Sequence, residues 1–206
     1  MFHVKQFQEQ TGVSAETLAR LQLYADLLEK WQKKINLVGT TTIPDLWQRH
    51  MLDSAQLFLL LPKPDCRIID FGSGAGFPGL VLAIMGCSRV TLVESDGRKC
   101  AFLAEAMRLT GAGRVAHLDN RRIEDVPPTA VDVVTSRALA PLGTLLDLAE
   151  PFLSKSSICL FLKGKKVDEE LTLASKNWMM RVSKVQSQTN TSGMILKLEN
   201  VAKRTS

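Results

Sequence analysis

The chain of 206 residues lacks any hydrophobic run of membrane-spanning length: apolar stretches such as residues 58–62 fall far short of the roughly 20 residues a bilayer span requires. The opening text MFHVKQFQEQTG has no apolar core ahead of a small-residue cleavage site, so no secretory leader is read there and the expected location is the cytoplasm. Cysteine is sparse. Cys66, Cys87, Cys100 and Cys159 form no CxxC and no Cys/His cluster, which argues against a zinc site or a disulfide framework, and each sits in or beside an apolar stretch as a buried thiol would. A surplus of one charge sign is nearly missing too, with 26 Lys+Arg against 21 Asp+Glu for a net +5. Residues 1–65 carry seven of each sign and 66–155 carry ten of each, so the surplus is confined to 156–206, where nine basic residues face four acidic ones. A local basic field attracts polyanions, but a solvated face accounts for so small a surplus equally well. What remains is a globular composition, 45% hydrophobic with mean hydropathy +0.03, enough for one full core and a modest appendage.

Helical periodicity opens the chain. In SAETLARLQLYADLLEKWQKKINLV, Ser14 is placed to cap, and Leu18, Leu21, Ala25 and Leu28 recur at 3.6-residue spacing, joined by Tyr24, Leu27 and Trp31. Thr42 and Pro44 open a second predicted helix through Leu46, Trp47, Arg49, His50 and Asp53, and a third apolar segment, AQLFLLL, stops at Pro62. On a helix Arg49 and Asp53 stand four apart and His50 and Asp53 three apart, so one carboxylate is expected to hold either cation. Residues 1–62 read as a helical cap that does not fold alone, and 63–206 as the main domain.

Beyond Pro64 the pattern changes. CRIIDF, RVTLVE, RVAHLD, VDVVTS and SICLFL are short β-branched or apolar runs, separated by helical patterns over 78–85, 96–109, 140–150 and 167–177. That alternation predicts an α/β fold, a mostly parallel sheet covered by helices on both faces. MMRVSKVQSQ, the turn text TNTSG and MILKLENV predict an antiparallel hairpin closing one edge. Trp31 and Trp47 are read as packing groups.

The sharpest feature is Asp70-Phe71-Gly72-Ser73-Gly74-Ala75-Gly76-Phe77-Pro78-Gly79, between the first strand and a helix. Glycines allow the tight turn and a close backbone approach to a ligand, and ligands of doubly wound sheets bind at the carboxyl ends of the strands, where this loop falls. Glu94 ends the next strand, placed to accept from both hydroxyls of an adenosine ribose. Asp70 is also suited to orient the loop amides from beneath.

Asp70-x-Gly72-x-Gly74-x-Gly76 resembles the first motif of class I S-adenosylmethionine-dependent methyltransferases. A closer resemblance is to the bacterial 16S ribosomal RNA guanine-N7 methyltransferases, the glucose-inhibited division protein B family. It rests on Asn36-Leu37, Arg49-His50-Met51-Leu52-Asp53-Ser54, the run from Asp70 to Gly79, Glu94-Ser95, Arg122-Ile123-Glu124, Ser136-Arg137-Ala138 and Lys163-Gly164, in that order. Val38 stands where the family usually has threonine, and the terminal hairpin matches only loosely.

The resemblance implies a class I, Rossmann-like fold with strand order 3-2-1-4-5-7-6, its final strand antiparallel, behind the helical cap. It implies transfer of a methyl group from S-adenosylmethionine to N7 of a guanine in the 530-region loop of 16S ribosomal RNA, with the RNA or the small ribosomal subunit as partner. Gly72, Ser73, Gly74, Gly76 and Phe77 are the implied cofactor residues of the loop, with Glu94 at the ribose and Ile123 and Glu124 along the adenine. Arg137 is implied in the cleft, touching the cofactor and positioning the reactants. Arg49, His50, Arg122, Lys163, Lys165 and Lys166 are the candidate RNA-binding residues, with the lysines suited to phosphates. No metal and no dedicated general base are expected, because guanine N7 already offers an unprotonated lone pair. Ser136-Arg137-Ala138-Leu139 replaces the Asn/Asp-Pro-Pro-aromatic motif of exocyclic-amine methyltransferases, and no cysteine stands where a cytosine-C5 enzyme needs one. Nothing demands a partner subunit, so a monomer is expected.

Other readings stay open at this point. Gly74-x-Gly76-x-x-Gly79 also fits the dinucleotide fingerprint of an NAD-dependent oxidoreductase, and a noncatalytic RNA-binding ribosome-assembly protein can retain a nucleotide pocket. Arg137 has a plainer alternative as a salt-bridged surface arginine, and Glu124 as a surface carboxylate.

Overall fold

The computed structural model describes residues 4–204. It begins with α1 (Val4–Thr11), a helix the sequence reading did not anticipate because its eight residues bury only Phe7. In α2 (Ala15–Gln32), the Ser14 hydroxyl accepts from the Thr17 amide, as the capping text predicts. The next segment departs from the two helices expected up to Pro62. A 3-10 turn (Thr40–Asp45) runs into a π-helical turn (Trp47–Leu52), a short α3 (Asp53–Ala55) and a second 3-10 turn (Gln56–Leu60). A π-turn advances more residues per revolution than an α-helix, so the three- and four-residue neighbours expected there do not meet.

The strands are β1 (Arg67–Phe71), β2 (Arg89–Val93), β3 (Ala116–Asp119), β4 (Val133–Arg137), β5 (Ile158–Lys163), β6 (Trp178–Gln186) and β7 (Met194–Lys203). They form one sheet in the order β3-β2-β1-β4-β5-β7-β6. The first five run parallel, and β7 is antiparallel to both of its neighbours. The crossovers carry α4 (Gly79–Met85), α5 (Gly97–Thr110), α6 (Leu142–Ala149) and α7 (Val167–Ala174). Between β3 and β4 there is only a single 3-10 turn, Ile123–Asp125. Among the described residues no helix is long and apolar enough to cross a membrane.

Strand alternation sorts the side chains into two layers. Ile68, Val90, Leu92 and Leu160 pack with Leu21, Tyr24 and Leu28 of α2, Leu80 and Ile84 of α4, and Phe102 and Leu103 of α5. Ile69, Phe71, Val93, Val134 and Phe161 pack on the other face with Leu142, Leu145 and Leu146 of α6. Each buried Leu, Ile or Phe contributes about 1.5–3 kcal/mol of transfer free energy. The cap helix α2 therefore shares its core with the sheet, and Trp31 joins it by packing edge-on against Phe102, with ring centroids 5.9 Å apart. Trp47 packs in the same manner on Phe7.

Because β1 to β5 are parallel, their carboxyl ends lie along one edge, and the loops after β1, β2, β3, β4 and β5 gather there. The tightest contact beneath them is at Gly79: a Cβ built there would meet Leu92 Cδ2 at 2.5 Å and Asp70 Cβ at 2.8 Å. Gly79→Ala is expected to cost about 2–3 kcal/mol, the scale of overpacking a filled core. Urea denaturation checks it, with an unchanged midpoint refuting this packing limit.

Candidate active site

Three polar contacts shape the loop after β1. Asp70 is fully buried; its Oδ2 accepts from the Gly79 amide at 3.2 Å and its Oδ1 from the Thr135 hydroxyl at 2.8 Å. Burial raises its pKa to about 6, against the opposing pull of those hydrogen bonds, so it is ionised at neutral pH. Above the loop, Glu94 Oε2 accepts from the Gly74 amide and Oε1 from the Asp96 amide, both at 2.8 Å. From the cap, Tyr24 donates its hydroxyl to the Ala75 carbonyl. Gly76, at φ 96°, has no room for a side chain, since a Cβ would lie 2.8 Å from Tyr24 Oη. Cap, glycine loop and second strand thus lock together through backbone atoms.

Two cavities open at this edge. One, of about 340 Å³, is lined by Gly72, Gly74, Glu94, Ile123, Glu124 and Arg137 among others. The other, of about 480 Å³, is bounded by the π-turn, the loop after β4, the end of β5 and the β6–β7 turn, with Arg49, His50, Asp53, Arg137 and Lys163 on its walls. Residues 137–140 belong to both, so a single segment of chain divides them. Arg137 reaches across this divide: its guanidinium lies 4.7 Å from the centroid of the Phe77 ring, and its Nη1 donates to the Arg49 carbonyl at 3.2 Å. No carboxylate pairs with it among the described residues, which corrects the reading of a salt-bridged surface arginine.

His50 is 9% exposed and stacks at a tilt on Phe77, with centroids 5.2 Å apart. Thr42 Oγ1 gives its proton to the Gly39 carbonyl at 2.7 Å, so the 2.7 Å contact between Thr42 Oγ1 and His50 Nε2 requires the imidazole to be the donor. His50 Nδ1 is then an unprotonated acceptor, and it has no partner. Burial, with Arg137 and Arg49 adding to it, lowers the His50 pKa to about 3, so the ring is neutral at physiological pH.

The structure divides the residues expected from sequence. Gly72, Gly74, Glu94, Ile123, Glu124 and Arg137 share the first cavity, together with Arg122. Ser73, Gly76 and Phe77 do not line it. The Ser73 hydroxyl bonds the Asp70 carbonyl at 3.1 Å, Gly76 abuts Tyr24, and Phe77 lies buried between Tyr24 and His50. These contacts brace the glycine loop. Arg49 and His50 reach the second cavity, but Asp53 holds neither. Asp53 Oδ1 instead accepts from Ser187 at 3.1 Å and Thr189 at 2.7 Å, tying the π-turn to the β6–β7 turn. Lys163 is corrected as well: its ammonium pairs with Glu170 at 2.7 Å and donates to the Ala140 carbonyl at 2.7 Å, so it fastens the dividing segment and is not a free phosphate ligand. Lys165 and Lys166 are exposed and line neither cavity. Sequence reading missed the roles of Tyr24 and of the β6–β7 turn; the one signal for the former is that Tyr24 is the only tyrosine.

Comparison with known proteins bears on this geometry. The family model described as "GidB: rRNA small subunit methyltransferase G" matches residues 17–198. The chain belongs to that family. The ribosomal RNA small subunit methyltransferase G of Paramagnetospirillum magneticum is 56% identical over 193 residues, covering 94% of this chain and 93% of the relative. That of Rhodospirillum centenum is 51% identical, covering 98% and 93%. Among solved structures, the ribosomal protein L11 methylase of Lactobacillus delbrueckii subsp. bulgaricus matches with TM-score 0.59 and 14% identity, over 74% of this chain and 77% of that one. M. jannaschii TYW2 in complex with AdoMet matches with TM-score 0.58 and 14% identity, over 84% and 80%. These structural likenesses show the class I methyltransferase fold.

As a methyltransferase G, the chain uses S-adenosylmethionine to methylate a guanine of 16S ribosomal RNA. The oxidoreductase and noncatalytic readings fall away. The donor set fits S-adenosylmethionine, because each Glu94 oxygen keeps acceptor capacity for a ribose hydroxyl after binding one amide.

His50 also leaves a pH signature. Its folded-state pKa is below the unfolded value, so its stabilising contribution is complete above about pH 6.5 and is lost as pH falls towards 3. The stability difference between wild type and His50→Gln is expected to shrink by about 1.4 kcal/mol per pH unit between pH 6 and 4. Denaturant titrations across that range measure it; a pH-independent difference contradicts a neutral buried His50.

Proposed function

We propose that this methyltransferase acts on N7 of one guanine in the 530-region loop of 16S ribosomal RNA, with the cofactor in the smaller cavity and the base in the larger. The observation that carries this reading is the dividing segment, residues 137–140, which borders both cavities and brings their contents to one wall. Bound in the smaller cavity, S-adenosylmethionine supplies an electrophilic sulfonium methyl. Gly72 and Gly74 take its methionine end without side chains in the way, Glu94 accepts from the ribose hydroxyls, and Ile123 and Glu124 flank the adenine.

Direct attack by N7 requires no proton removal, and the surroundings agree with that chemistry. His50 is too weak a base at about 3 to take a proton at neutral pH. The cysteines are buried, and burial pushes Cys87 and Cys159 up to about 12 and Cys100 to about 11, so no thiolate nucleophile is on hand. Alignment and exclusion of water are the residues' main tasks. Arg137, held by Phe77 and the Arg49 carbonyl, positions the two reactants at the shared wall. Arg49, Lys165 and Lys166, all exposed, supply phosphate contacts around the mouth.

Mapping 7-methylguanosine in ribosomal RNA from cells with and without the gene tests the reaction. One small-subunit mark should vanish on deletion, and an unchanged map rejects the N7 assignment. In calorimetry, Glu94→Ala should weaken S-adenosylhomocysteine binding by about 10- to 100-fold, the scale of a lost charge-assisted contact; unaltered affinity removes Glu94 from the ribose. Lys165→Ala with Lys166→Ala should lower the slope of log affinity for RNA against log salt by about 1.5, and an unaltered slope takes both out of the footprint.

A further inference from the structure

Asp53 is placed at the wall of the larger cavity in a one-sided manner. Its Oδ1 accepts from three donors: Gln56 Nε2 at 3.0 Å, Ser187 Oγ at 3.1 Å and Thr189 Oγ1 at 2.7 Å. No donor among the described residues bonds Oδ2. A carboxylate has about four lone-pair sites, so three donors crowded on one oxygen fix its plane and leave the acceptor capacity of the other unused. Three residues before it, His50 Nδ1 is a second acceptor without a donor. Arg137 borders the same cavity, and Asp53 is the strongest of the charges opposing the burial that depresses Arg137, yet no ion pair closes between them. The wall therefore presents cationic donors from Arg137 and, apart from them, an anchored anionic acceptor.

Guanine matches that order. Its Watson–Crick edge runs from the O6 acceptor to the N1–H and N2–H₂ donors, and no other standard base sets two donors side by side. Resting on the N7 reading above, we infer that Asp53 is a specificity-determining residue whose free Oδ2 accepts from N1–H and N2–H₂ of the target guanine, with Arg137 donating to O6. N7 adjoins O6 on the far side from N1, so this pose turns N7 to the Arg137 wall that the cofactor cavity shares. Adenine in the same pose sets its N1 lone pair against the carboxylate and its N6 amine against the guanidinium. Both mismatches leave charged groups unpaired, which is how a polar site rejects a near-isostere. The three anchors come from Gln56 in the cap and from the β6–β7 turn, so docking of the terminal hairpin on the cap orients the reader.

The test pairs a changed residue with a changed base. Small subunits are reconstituted with 16S ribosomal RNA carrying either guanine or hypoxanthine at the target; hypoxanthine lacks only the N2 amine and keeps N7, O6 and N1–H. Single-turnover methyl transfer by wild type should be about 10- to 100-fold slower on hypoxanthine. Asp53→Asn and Asp53→Ala should react slowly with both RNAs and show a hypoxanthine penalty within about twofold of none. Their affinity for S-adenosylhomocysteine should stay at the wild-type value. Thr189→Val loosens the anchor but keeps the carboxylate, so it should retain the penalty. A wild type indifferent to hypoxanthine, or Asp53 variants with the full wild-type penalty, overturns the inference. Wild type that leaves no 7-methylguanosine on the guanine RNA overturns the N7 reading itself, a result distinct from either of these.

Discussion

A fully buried carboxylate beneath the glycine loop is the constraint on which the site depends. Asp70 faces Gly79 at the start of α4 and Thr135 in β4, so one side chain joins the first strand, the helix that follows it and the fourth strand. Burying that charge is costly and pushes its pKa to about 6. The cost is offset only while both donors stay in place, and that leaves the loop little freedom. Gly79 must then lack a side chain, because the carboxylate and Leu92 already fill the space.

The loop so held is gripped from two further sides. Glu94 ties the Gly74 amide to the end of β2, and Tyr24 ties the Ala75 carbonyl to the cap. Since α2 belongs to the same apolar cluster as the sheet, the cap is part of the scaffold behind the glycine loop. A corresponding arrangement holds the larger cavity. Lys163 fastens Ala140, Asp53 and Gln56 hold the β6–β7 turn, and Phe77 and the Arg49 carbonyl hold Arg137. Both cavities are therefore walled by side chains held in place by contacts behind them, while Asp53 Oδ2 and His50 Nδ1 keep acceptor capacity, which is what pre-organisation requires.

The strands, the main helices and the glycine loop could be read from local signals: β-branched runs, 3.6-residue spacing, the Ser14 cap and glycine placement. These depend on neighbours in the chain, and neighbours in the chain are what a sequence displays. The errors fall where longer-range contacts decide. Arg49, His50 and Asp53 have ideal α-helical spacing, yet the π-turn separates them. Lys163 sits in a basic stretch, yet Glu170 and Ala140 take its charge. Nor does the motif reveal that Ser73 bonds the Asp70 carbonyl and that Phe77 packs between Tyr24 and His50.

The terminal hairpin makes the division plain. Its two strands and turn follow from alternation and from the text TNTSG, but nothing local says that Ser187 and Thr189 meet Asp53, more than 130 positions earlier. The alternation of strands and helices and the order of glycines and acids pointed to the fold class and to the glycine loop, because those are properties of short backbone stretches with fixed conformational needs. Which side chain faces which cavity, and which charge remains unpaired, was decided only when the sheet, cap and hairpin closed on one another. Electrostatic and hydrogen-bond partners are chosen by distance in space, and for Asp53, Lys163 and Arg137 that distance is set by packing far along the chain.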